Sequence, residues 1–122
     1  MINYGRQYID KNDISSVSKI LRSDWLTTGP NISSFENKIT KKVNAKYATV
    51  VNSATSALHI ACMALGVSNK DIVWTTSNSF VSSINCALFC GAKIDLVDIN
   101  LENYNIDTDE LTKKLKIAKK EK

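Results

Sequence analysis

The sequence predicts an α/β protein with a parallel-sheet βαβαβ core, preceded by an arm and two helices. Three observations carry this. β-branched, apolar runs occur at Tyr47 to Val51, Ile72 to Thr75 and Lys93 to Val97. Between them lie two segments of helical character, Ala57 to Leu65 and about Phe80 to Cys90, each stopped by a glycine, Gly66 or Gly91. The connections are short. Strands alternating with helices over short connections run parallel and are joined by right-handed crossovers.

In chain order, Tyr4 to Ile9 has no periodicity and reads as an extended arm. Asp10 is a good helix N-cap with Asp13 three residues on, and Ile14, Val17, Ile20 and Leu21 mark one face of a helix ending near Ser23. Asp24 to Pro30 holds the single proline beside a glycine and reads as a loop. Its Trp25 and Leu26 need cover, either at the edge of the core or at a ligand or subunit interface. Asn31 or Ser33 caps the next helix, with Phe35, Ile39 and Val43 as its apolar face, and Asn44-Ala45-Lys46 closes it. The helix from Ala57 is apolar almost all round, which marks it as buried. Gly66 suits its C′ position. A loop from Asp98 to Asp107 leads to a final helix starting near Thr108. The organisation is one incomplete domain, with the arm and two helices in 1–45 and the α/β part in 46–122.

A chain of 122 residues has room for one core, and 43% hydrophobic content fits a globular protein. No window approaches the roughly 18 apolar residues a membrane span needs. The first residues lack the order of a signal peptide, so a cytoplasmic location without membrane association is expected. The net charge of +4 is concentrated at the end: Asp109 to Lys122 holds six lysines and three acids. A basic tail on one amphipathic helix, with no interleaved aromatics, reads as a solvated face, and no nucleic-acid partner is expected. The three cysteines lie in apolar helical segments and read as reduced, buried hydrophobes. His59 is the single histidine; with only Cys62 nearby and no second ligand pair it reads as a core residue, and no metal is expected.

The chemistry-bearing stretch is Asn52-Ser53-Ala54-Thr55-Ser56-Ala57-Leu58-His59. A strand passing through small polar residues into a helix leaves unpaired N–H groups at the positive end of the helix dipole, a setting for an anion. Ser53, Thr55 and Ser56 add hydroxyls, and no bulky side chain blocks a phosphate. In open α/β sheets ligands sit outside the carboxyl ends of the strands. Three turns gather at that edge: Asn52 to Ser56, Thr76 to Phe80, and Asp98 to Leu101. Phe80 is either a core aromatic or a flat face for a planar ring. No nucleophile–base pair accompanies the hydroxyls, so hydrolase chemistry is poorly supported.

Thr27-Thr28-Gly29-Pro30 with Phe35-Glu36, then Asn52 to Leu58, Asp71-Ile72-Val73, Thr75-Thr76, Ser79-Phe80-Val81, Gly91-Ala92 and Val97-Asp98-Ile99 resemble, in order, the N-terminal third of the DegT/DnrJ/EryC1/StrS family. These are pyridoxal-phosphate-dependent aminotransferases acting on nucleotide-linked keto-sugars. The resemblance implies the start of an aspartate aminotransferase-like, fold type I large domain. The Ser-Ala-Thr-Ser-Ala turn after Asn52 looks similar to the pseudaminic-acid branch. That branch aminates C4 of a UDP-linked 4-keto-6-deoxy-N-acetylhexosamine, usually from glutamate. By resemblance, Ala54, Thr55 and Ser56 bind the cofactor phosphate and Phe80 stacks on its ring. Tyr4 and the loop of Asp24, Trp25, Leu26 and Thr27 contact sugar nucleotide or cofactor, and a homodimer is implied.

Pyridoxal chemistry also needs a lysine for the Schiff base and an acid at the pyridine nitrogen. In the family both lie downstream of this segment, so no catalytic residue is expected among these 122. The chain reads as part of a longer protein, inactive by itself. Two other readings stay open: a phosphate-ligand module without chemistry, and a pyridoxal-phosphate-dependent sugar dehydratase of the same family.

Overall fold

A computed structural model describes residues 4–119. It contains five helices and two strands, in the order α1 (Lys11–Leu21), α2 (Pro30–Val43), α3 (Ala54–Ala64), β1 (Ile72–Thr76), α4 (Ser82–Phe89), β2 (Lys93–Val97) and α5 (Thr108–Ala118). The contacts divide the chain into two units, Met1–Val50 and Val51–Lys122.

In the first unit, local chemistry sets the helix ends. Asp10 caps α1 in a full capping box: its carboxylate accepts from the N–H groups of Asn12 and Asp13, while Asp13 accepts from the Asp10 N–H. α2 starts earlier than its polar residues suggest. Gly29 is the N-cap and Pro30 occupies the first turn, where its missing N–H costs nothing. Pro30 therefore belongs to the helix, and neither Asn31 nor Ser33 is its cap. Gly29 is required on steric grounds, because a Cβ there would lie 2.7 Å from the Cβ of Trp25. Asn44 ends α2 in the left-handed conformation, with φ 52°.

Tyr47 to Val51 does not form the first strand that its composition suggests. The sheet described has two strands, β1 and β2. β-branched residues favour an extended backbone but cannot make a ladder without a partner. The N–H of Val50 instead donates to the Glu36 carboxylate on α2, 3.0 Å away. That bond ties Val50 to α2 within the first unit, which the contacts end at Val50.

The second unit is the α/β part. β1 and β2 are parallel and flush, from Ile72 opposite Lys93 to Thr76 opposite Val97. Both helices preceding a glycine end in the same manner. At α3, Gly66 has φ 74°, its N–H bonds to Met63 O and that of Val67 to Cys62 O. At α4, Gly91 has φ 80°, its N–H bonds to Leu88 O and that of Ala92 to Ala87 O. These paired bonds are Schellman caps, and the positive φ explains glycine at both sites.

α4 packs on α3 and on both strands. The core is made of small residues: Cys86, Ala87, Ala92 and Val97, with Ser82 as the buried polar member. His59 on α3 meets Phe89 on α4 edge-on, with ring centroids 5.2 Å apart. The expected burial of α3 is not found, since none of its residues is fully buried and Leu58, Ile60 and Met63 are exposed. Within this unit helix α4 packs against it. After β2, Ile99 and Ile106 form an antiparallel bridge that closes the loop, and Asp107 caps α5. Lys114 of α5 pairs with Asp95 of β2. The ammonium holds the Asp95 carboxyl below the usual carboxylate range, chiefly through this hydrogen bond.

The cysteines are all free thiols. Cys86 is buried, whereas Cys62 and Cys90 are half-buried. Burial, then the adjacent Cys86 thiol, pushes the Cys62 thiol above its ordinary value.

Candidate functional site

The register of the sheet brings the predicted turns together. Thr76 and Val97, the last residues of β1 and β2, lie opposite each other, so the following loops start at the same edge. The first turn joins them through a side chain. Thr55, in the first turn of α3, lies with its Oγ1 2.6 Å from the Oγ of Ser82, the first residue of α4. The two helix N-termini are thereby tied together beside the carboxyl ends of the strands.

α3 begins at Ala54, three residues earlier than its apolar run, so Ala54, Thr55 and Ser56 form its first turn. Ser53 is the N-cap. Its Oγ accepts from the Ser56 N–H at 3.1 Å, and its C=O accepts from the Ala57 N–H. The Ser56 hydroxyl donates to the Asn52 side-chain oxygen at 2.9 Å. A hydroxyl has one proton, so in the 3.0 Å contact between Ser53 and Ser56 the donor is Ser53. Asn52, Ser53 and Ser56 thus form a closed set of bonds that shapes the turn.

This arrangement sorts the predicted anion ligands. Both donors of Ser56 are engaged within the turn, so Ser56 holds it rather than offering free hydrogens. The N–H groups of Ala54 and Thr55 have no acceptor among the described residues, as expected for the first positions of a capped helix. They point out of the N-terminus with the positive end of the helix dipole behind them. An acceptor-only group such as a phosphate fits these open donors together with the Thr55 hydroxyl.

Phe80 lies in the loop between β1 and α4, two residues before the helix rather than opening it. It is 75% exposed, so its ring is not a core residue of this unit. In the same loop the Ser79 and Ser83 hydroxyls lie 3.0 Å apart. Tyr4, Asp24, Trp25, Leu26 and Thr27 belong to the first unit and are all exposed. Gly29 leaves room for Trp25, whose Cβ would lie 2.7 Å from a Cβ at that position, while the Ser23 hydroxyl donates to the Ile20 carbonyl at 2.7 Å. The large cavity of that unit, 690 Å³, is lined by residues of α1 and α2 including Lys19, Phe35 and Lys38. It holds none of the predicted ligands and is an open groove rather than a formed pocket. Among the described residues no cluster of three or more His, Cys, Asp or Glu is placed to hold a metal ion. Nor is any described helix long and apolar enough to cross a membrane.

Sequence reasoning missed Ser82. It is the first residue of an ordinary apolar helix, and its bond to Thr55 spans 27 positions. The available signal was a polar residue facing inward at the start of a helix that must pack on the sheet.

The sequence profile of the DegT/DnrJ/EryC1/StrS aminotransferase family matches residues 7–121. The UDP-4-amino-4,6-dideoxy-N-acetyl-beta-L-altrosamine transaminase of Campylobacter jejuni is 43% identical over 115 residues, which are 94% of this chain and 30% of that protein. The UDP-4-amino-4-deoxy-L-arabinose–oxoglutarate aminotransferase of Shewanella sediminis is 38% identical over 102 residues, 84% of this chain and 26% of that protein. Among solved structures, Spr1654 of Streptococcus pneumoniae, assigned as a sugar aminotransferase and determined in its PLP form, superposes with a TM-score of 0.86. The identity is 28%, over 92% of this chain and 29% of that one. The chain thus spans about 30% of the length of the curated relatives it matches.

Proposed function

The chain belongs to the DegT/DnrJ/EryC1/StrS aminotransferase family, and from this we propose that it is the cofactor-anchoring part of a pyridoxal-phosphate-dependent sugar-nucleotide aminotransferase. The observation that carries the reading is the α3 N-terminus. Two open N–H groups and a hydroxyl lie there, at the carboxyl edge of a parallel sheet.

In this reading Ala54 and Thr55 hold the cofactor phosphate through their N–H groups, and the Thr55 hydroxyl adds a third donor. Ser56 keeps the turn in shape by its bonds to Ser53 and Asn52. Phe80 offers its exposed ring as a face for the pyridine. When bound, the cofactor supplies an electron sink through which an amino group passes from donor to keto-sugar. Tyr4 and the residues Asp24 to Thr27 serve the sugar nucleotide, Trp25 being 62% exposed. The substrate assigned is a UDP-linked 4-keto-6-deoxy-N-acetylhexosamine, aminated at C4 as in pseudaminic acid synthesis. The Campylobacter relative's name supports that choice. Glutamate is the donor, in keeping with the oxoglutarate named for the Shewanella relative. The working form is a homodimer, and these 122 residues alone do not transaminate.

The test uses pyridoxamine 5′-phosphate, which carries the phosphate but cannot form imines with surface lysines. Equilibrium dialysis against the chain is expected to show saturable binding, displaced by inorganic phosphate. Binding no tighter than that of pyridoxamine overturns the reading.

A further inference from the structure

Ser82 is 3% exposed and is the buried polar side chain among the described residues. It opens α4, whose other buried residues are the small apolar Cys86 and Ala87. A hydroxyl taken out of water is unfavourable unless it is hydrogen-bonded. Its side-chain partner is the Oγ1 of Thr55, at 2.6 Å on the other helix. The N-cap of α4, Val81, supplies no side-chain cap, so this bond is not part of a capping motif.

We infer that Ser82 is a positioning residue for the anion held at the α3 N-terminus, acting through Thr55. The inference rests on the phosphate reading given above. The direction of the bond follows from counting protons. A hydroxyl donates once, whereas a phosphate oxygen facing it accepts. With phosphate bound, the Thr55 proton points at the phosphate, and Thr55 Oγ1 must accept from Ser82. Ser82 is then the fixed donor at the head of a two-hydroxyl chain, Ser82 to Thr55 to phosphate. Hydrogen bonds in such a chain polarise one another, so the Thr55 hydroxyl becomes a better donor than it is alone. The bridge also restricts the Thr55 rotor before the anion arrives. Ser82 touches neither phosphate nor ring; it sets the state of the group that does.

The experiment is a double-mutant cycle read by equilibrium dialysis with pyridoxamine 5′-phosphate and pyridoxamine. Ser82→Ala removes a single oxygen and creates no overlap, and circular dichroism checks that the helices persist. Ser82→Ala is expected to weaken the phosphorylated ligand roughly three- to tenfold, the scale of one hydrogen bond, and to leave pyridoxamine unchanged. Ser82→Cys, a weaker donor of similar shape, is expected to fall between. In a Thr55→Val background, Ser82→Ala is expected to have no further effect. Equal loss for both ligands, or the same loss with and without the Thr55 hydroxyl, overturns the inference by making Ser82 a packing residue only. Wild-type affinity in Ser82→Ala also overturns it while leaving the phosphate reading intact. If the wild-type chain itself does not distinguish the two ligands, the phosphate reading fails and the inference goes with it.

Discussion

Ser53→Asp separates two properties that the α3 N-terminus combines. Ser53 caps the helix by accepting from the Ser56 N–H. Aspartate caps about as well as serine, and its charge at the positive end of the dipole stabilises by about 0.3–1 kcal/mol. Fold stability is therefore expected to hold or rise. A phosphate on the Ala54 and Thr55 N–H groups would, however, lie near the new carboxylate; taking one helical pitch as the scale of that separation gives roughly 6 Å. Charges of −1 and about −2 at that distance repel by about 1.4 kcal/mol even at the dielectric of water. Affinity for pyridoxamine 5′-phosphate is then expected to fall at least about tenfold, while pyridoxamine is unaffected. The loss should shrink as salt rises from 0.01 to about 0.15 M, as screening requires. Ser53→Ala supplies the opposite signature: loss of the cap, about 1 kcal/mol, with no added charge. Urea denaturation reads stability, and dialysis reads affinity. A Ser53→Asp chain that keeps its stability and binds the phosphorylated ligand as tightly as wild type at low salt refutes an anion at this helix end.

Two predictions concern the scaffold. Gly66→Ala meets no atom within 4 Å but must adopt φ 74°, a left-handed state costing about 1–2 kcal/mol for a residue with a Cβ. Against it stands about 0.4–1 kcal/mol from restricting the unfolded chain. A net loss of about 1 kcal/mol is expected in the urea midpoint, with Gly66→Asn milder. Asp95→Asn tests the tie between β2 and α5. Lys114 depresses the Asp95 pKa, so the tie contributes above the unfolded carboxyl value, near pH 3.9, and is lost as pH falls through the lower folded value. The wild-type chain should lose stability across that acid window, and Asp95→Asn should flatten part of the loss; identical acid profiles would count against the pairing.

What could be read from the residues depended on the range of the interaction. The Asp10–Asp13 capping box and the turns at Gly66 and Gly91 were legible because each is closed within a few residues. The two paired strands were legible for a related reason: their β-branched runs find each other across α4. Tyr47 to Val51 has the same composition but no ladder, since a strand is a relation between segments and not a property of one. Pro30 was misplaced because proline breaks a helix interior yet suits its first turn. The apolar circumference of α3 recorded what needs covering, but α4 covers only one side. Ala54, Thr55 and Ser56, read from the sequence as one polar turn, fall in the first turn of α3. Their division into open and engaged donors depends on which hydroxyl spends its proton where, as does the part of Ser82. Those are questions of three-dimensional geometry.

The bridge between Thr55 and Ser82 also links ligand and fold by mass action. The proposed anchor is composite: its donors sit on α3, while the side chain in contact with one of them, the Thr55 hydroxyl, comes from α4. On the phosphate reading, an anion held by the Thr55 hydroxyl would bind better when Ser82 is in place than when it is not, and to that extent would favour the docked helices. At about a hundred times its dissociation constant such a ligand adds about 2.7 kcal/mol. Beside a buried core of Cys86, Ala87, Ala92 and Val97, that is a large share. If this is where the cofactor's phosphate sits, the supply of cofactor in the surrounding solution would be one of the forces that keep these two helices together.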